Sequence, residues 1–137
     1  MATFTKFNSF VEALAEKVHN LGSDTLTVAL TNTAPVPATD TQLSDITEIS
    51  YTNLSSRALT ISSSAQASGT YKLVIADLTL TASGGSVGPF RYVVIYNDTA
   101  TNDELICYFD YGSSITLNDG ETLDLDFDGT NGLLQLA

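Results

Sequence analysis

GPFRYVVIYN, Gly88 to Asn97, alternates Phe90, Tyr92, Val94 and Tyr96 with Arg91, Val93 and Ile95, so an extended strand here is mostly apolar on both faces. A strand gains from two apolar faces only when each is covered by a second sheet, a helix or a neighbouring subunit. The stretch is therefore the interior reference for the rest of the chain. Pro89 fits only at its start, where no ladder donor is required.

Working outward, Asp24 to Asn32 alternates Leu26, Val28 and Leu30 with threonines and alanine, the pattern of a strand with one buried face. Short strands are expected at 57–62, 71–76 and 78–82 before the central stretch. Beyond it they are expected at 105–111, 114–118, 121–127 and 133–136. In the 105–111 strand, Leu105, Cys107 and Phe109 share one face and Ile106, Tyr108 and Asp110 the other. Asp119-Gly120 is the strongest hairpin signal and predicts that Ser114 to Asn118 pairs with Glu121 to Phe127. About eight strands with no alternating helices predict an antiparallel β-sandwich, jelly-roll-like in strand number, as one domain over 1–137.

One N-terminal amphipathic helix is expected over 7–21. Phe7, Val11, Leu14, Val18 and Leu21 recur at spacings of four and three, Ser9 and Glu12 offer a capping box, and Gly22 offers a stop. Residues 33–53 carry Pro35 and Pro37 and predict a long loop, with room for one helical or 3₁₀ turn at Leu43, Ile46 and Ile49. The helix stripe and the double-sided central strand together predict an oligomer. Phe7, Val11, Leu14 and Val18, with Arg91 and Tyr96, are the candidate interface residues. Arg91, set among Phe90, Tyr92 and Val93, requires an acidic or carbonyl partner wherever it is buried.

The 137 residues are 43% hydrophobic with a formal charge of −11. Residues 1–97 hold seven acids and all five bases; residues 98–137 hold nine acids and no base. That end repels nucleic acid and anionic membranes, so neither is an expected partner. No signal-peptide layout or membrane-length apolar run is present, which predicts a soluble, unprocessed chain. Cys107 is the only cysteine and His19 the only histidine, too few for a zinc cluster or a redox pair. Asp124, Asp126, Asp128 and Gly129 match the opening of a calcium loop. Gln135 stands at the twelfth position, where the bidentate glutamate belongs, so outward aspartates on a strand are the commoner explanation. No nucleophile elbow or phosphate loop occurs. Neither an enzyme nor a cofactor is expected.

Three stretches carry a resemblance: TFTKFNSFVEALAEKVHNLGSDTLTVALTNTAP at 3–35, SGTYKLVIADLTLTASGGSVGPFRYVVIYNDT at 68–99, and DYGSSITLNDGETLDLDFDGTNGLLQLA at 110–137. The chain is similar there to small virion structural proteins of tailed bacteriophages, particularly capsid decoration or cement proteins. The resemblance implies a jelly roll made in the host cytoplasm that binds the capsid exterior as a dimer or trimer, with the major capsid protein as partner. A tail, baseplate or head-fibre module that holds host glycans through tyrosines and acids is the alternative.

Overall fold

A computed structural model describes residues 2–137. Nine strands form: β1 (Thr3–Lys6), β2 (Leu26–Thr31), β3 (Ile61–Ala67), β4 (Thr70–Ile75), β5 (Leu78–Thr81), β6 (Val87–Asn97), β7 (Leu105–Leu117), β8 (Thr122–Leu125) and β9 (Leu134–Leu136), with one helix, α1 (Asn8–Ala15). All pairings are antiparallel, in sheets ordered β1-β7-β6-β2, β3-β4-β9 and β5-β8. The result is a small β-sandwich with one helix. Its strands divide four, three and two, not into the paired four-stranded sheets of a jelly roll.

The central stretch is β6, and both of its faces are covered by the chain itself. Phe90, Val93 and Ile95 enter the main core with Val28 and Leu30 of β2, Leu73 and Ile75 of β4, and Leu80 of β5. Val94 and Tyr96 point the other way, into a second layer with Phe7, Ala29, Ile46 and Leu105. That second cover is the start of the helix and the long loop, not a sister subunit. The apolar surplus of the central strand is covered here within one protomer, whereas Val11 and Val18 of the helix stripe stay exposed.

The loop serves as cover because it is ordered. A 3₁₀ turn at Leu43–Asp45 is closed by a capping box between Gln42 and Asp45. The Thr41 and Gln42 N–H groups that the Asp45 carboxylate accepts hold it below the ordinary carboxylate range. Ile46 then lies buried on the sheet. Further on, the chain runs beside the outer edge of β2: Ile49 N–H donates to Leu30, Val28 N–H to Arg57 and Leu59 N–H to Leu26, with the Tyr51 hydroxyl accepting from Leu30 N–H at 2.9 Å. An edge that would otherwise present unpaired backbone groups is thereby closed.

The helix is shorter than the 7–21 expectation. Lys17 adopts a left-handed conformation at φ 70, Val18 N–H donates to Ala13 and Lys17 N–H to Leu14, and these bonds form a Schellman stop. Periodicity runs on past this point, but the backbone does not. The stripe changes accordingly: Phe10 is buried in the main core, Leu14 is half-buried, and Val11 is 55% exposed. Among the described residues no side chain caps the first turn, whose N-cap is Phe7. Pro37 carbonyl instead accepts the Asn8 N–H at 3.1 Å.

Two further expectations are corrected in β7, one unbroken 13-residue strand. A register shift between Ile95 and Tyr96 pairs them with Cys107 and Leu105, so Ile106 is an extra residue. Leu105 consequently faces the second layer, and Cys107 and Phe109 face the main core. The Asp119-Gly120 turn does form, with Glu121 N–H donating to Asn118 at 2.9 Å. It does not close a hairpin, because β8 pairs with β5. Ala82 takes Gly120 N–H and donates to Glu121, drawing the chain across to the opposite side of the core, where Phe127 is buried. Gly88 is required where β6 passes β7: at φ 125, an added Cβ would lie 2.7 Å from the Ile115 carbonyl oxygen.

Candidate functional site

Apart from Asp98, which follows β6, the exposed acids of the acidic third lie on β8 or in the segments that flank it. Along this strand Leu123 and Leu125 turn toward the core while Asp124, and Asp126 just past its end, are exposed, the alternation expected of outward aspartates. Asp128 is separate in role: its carboxylate accepts from Thr130 N–H, Asn131 N–H and the Asn131 amide at 2.8 to 2.9 Å. Those bonds, from Asn131 first, lower its pKa. Among the described residues no group of three or more His, Cys, Asp or Glu side chains could hold a metal ion. The three aspartates are thus a strand face and a turn, not one ligand set.

Between β8 and the sheet lies a groove of about 310 Å³, with Phe90, Val93, Phe109, Ile115 and Phe127 among its apolar lining. Its lining also includes Asp124 and Asp126, and no described base. Tyr111, 47% exposed, lines it too, and Phe4, 42% exposed, packs edge-on against Phe109 at 5.5 Å. Sequence patterning marks the alternating β8 residues but gives no sign of the groove, which exists only because β8 is carried away from β7.

The interface candidates scatter. Phe7 and Tyr96 are buried in the second layer, Leu14 is half-buried against the main core, and Val11 and Val18 are exposed. Arg91 finds its partner inside the chain: Nε and Nη2 donate to both Asp110 oxygens at 2.8 and 3.1 Å. The guanidinium, helped by Gly112 N–H, holds the Asp110 carboxyl below its usual range. The pair sits where β7 carries the extra residues that separate its partners Asp110 and Ile115, so it fixes a bend and leaves no charge free.

Cys107 is fully buried, and burial raises its pKa, away from the thiolate that chemistry would use. His19 is buried beside Phe10, with Nδ1 receiving a hydrogen bond from the Asn97 amide at 2.9 Å. An accepting Nδ1 places the ring proton on Nε2, which is buried without a partner among the described residues. Burial lowers the His19 pKa below its ordinary 6.5, against the opposing pull of Glu104 and Asp24.

Below 6.5 the unfolded chain takes up a proton that the folded chain refuses, so this contribution to stability is present above that pH and is lost as pH falls toward the folded value. Urea denaturation between about pH 7 and 5 should show stability falling with acid, and His19→Gln, which keeps an acceptor but does not titrate, should flatten that slope. An unchanged slope would remove His19 as its cause.

No known protein family, curated protein or solved structure matches the chain.

Proposed function

We propose that this chain is a capsid decoration protein, held on the outside of an assembled phage head and tying neighbouring copies of the major capsid protein together. The observation that carries this reading is how the resembling stretches map onto the fold. Stretches 3–35, 68–99 and 110–137 supply β1, α1, β2, β4, β5, β6, β8 and β9 and the outer half of β7. The part outside them is the loop that closes the β2 edge, β3, and the first half of β7. Most of the sandwich strands, though not β3 or the first half of β7, thus fall within those stretches.

Surface chemistry supports the same reading. Asp119, Glu121, Asp124, Asp126 and Asp128 are all exposed, an acidic face suited to basic patches on a shell. The thiol and imidazole that catalysis would call upon are buried in structural contacts, which favours a binding role over an enzymatic one. Of the six tyrosines only Tyr111 is exposed, so the glycan-binding tail module has one stacking platform where it needs several. Contact between copies in a dimer or trimer would fall to exposed apolar residues such as Val11 and Val18.

The test is sedimentation. Purified protein mixed with heads lacking it should co-sediment saturably with intact heads and not with isolated tails. Saturable binding to tails alone would overturn the capsid reading.

A further inference from the structure

Most of the apolar surface closes on itself, but along β8 it does not. Leu123, Asp124 and Leu125 of β8 all line the groove, as do Asp126 and Phe127 just beyond its end. Successive side chains of a strand point to opposite faces, so a groove touched by both sets runs along the strand's edge, not over one face. That edge is unpaired: β8 has β5 as its only neighbour, and the backbone groups of Thr122–Leu125 make no other backbone hydrogen bond among the described residues.

Charge selects what can pair there. Among the described residues Asp124 and Asp126 are the groove's only charged lining. Asp124 accepts one bond, from the Thr79 hydroxyl at 2.8 Å, and Asp126 makes no hydrogen bond or ion pair with any described residue. Two copies of β8 meeting edge to edge would crowd four carboxylates together, and an acidic strand would be repelled likewise. A strand that alternates basic with apolar residues meets neither obstacle. Its apolar side chains follow Leu123 and Leu125 onto the aromatic floor, and its cations stand beside Asp124 and Asp126.

We propose that the groove is the docking site for an extended lysine- or arginine-bearing segment of a partner protein, which adds as a third strand to the free edge of β8. This rests on the reading of the chain as a protein that binds another protein's surface, and it names the part of that partner which is held. The same two acids that admit the segment keep the edge from self-pairing, so affinity and protection from aggregation have one source.

The probe is a capped heptapeptide alternating lysine with valine, titrated into the ¹⁵N-labelled protein, beside a counterpart with glutamate in place of lysine. The basic peptide should shift amides at 109–115 and 122–127, and the glutamate peptide should shift none. Asp124→Asn with Asp126→Asn should weaken binding about tenfold, and added salt should weaken the wild-type response and not the variant's. No shifts, shifts elsewhere, or an equal response from the double variant would overturn the inference. Protein that binds heads but not the peptide overturns the groove and leaves the capsid reading; protein that binds the peptide but not heads supports the groove and counts against the capsid.

Discussion

Phe7→Ala should lower stability by about 3–5 kcal/mol, the usual cost of deleting a buried phenylalanine ring. A domain of this kind has roughly 5–15 kcal/mol to lose. Phe7 is fully buried, shares the second layer with Ile46, Val94, Tyr96 and Leu105, and lies 5.5 Å from the Tyr108 ring. It is also the hinge of that layer, since its N–H donates to Ile106 at 3.1 Å while the next N–H donates to Pro37. The cavity would therefore loosen the loop as well as the sheet. Hydrogen exchange should quicken at the Asn8, Leu43 and Ile46 amides, whose acceptors are all held in this region. Val11→Ala, on an exposed helical position, should change stability by less than about 0.5 kcal/mol. A similar loss for both variants in urea denaturation would mean that the helix stripe, and not the second layer, is what the fold buries.

Asn97→Ala should cost about 3 kcal/mol, because one buried amide holds three segments. Its Nδ2 donates to His19 Nδ1 at 2.9 Å and to Asp24 Oδ2 at 2.7 Å, and its Oδ1 accepts from Thr99 and Ala100 N–H at 3.0 and 3.1 Å. Truncation leaves the His19 ring with no partner on either nitrogen among the described residues. Asn97→Asp keeps the shape and both loop bonds but sets a carboxylate against Asp24. It should be about as destabilising at neutral pH, and it should recover in mild acid as protons settle on His19 or the carboxyl pair. The alanine variant should not recover. Denaturation midpoints at two pH values separate these outcomes, and identical acid responses would contradict the network.

What the sequence reveals here is periodicity, and what it hides is partnership. The double-sided pattern of Phe90 to Tyr96 correctly marks a strand covered twice, yet nothing local shows that Ile46 and Phe7 supply the second cover. The alternation of Leu123 and Leu125 with aspartates gives β8 its faces, and Asp119-Gly120 gives the turn before it. The turn leads to β5 because Ala82 captures Gly120 and Glu121, far along the chain from it, a contact no hairpin rule contains. Lys17 ends the helix in a backbone conformation that residue type does not favour, so Gly22 is the more persuasive stop on sequence grounds and the wrong one. Ile106 is an apolar residue in an apolar strand, and its role as the extra residue of a bulge leaves no compositional trace. The groove inherits this problem: its acids are legible, but its apolar floor comes from β6 and β7 and exists only after β8 has chosen β5.

The most direct test of the capsid reading is the number of copies in a purified virion, measured by quantitative mass spectrometry against labelled peptides of this chain. A decoration protein occupies a repeating lattice, so the count should reach hundreds per particle and scale with the major capsid protein. A count in the tens, or one equal to the symmetry number of the tail, would contradict it.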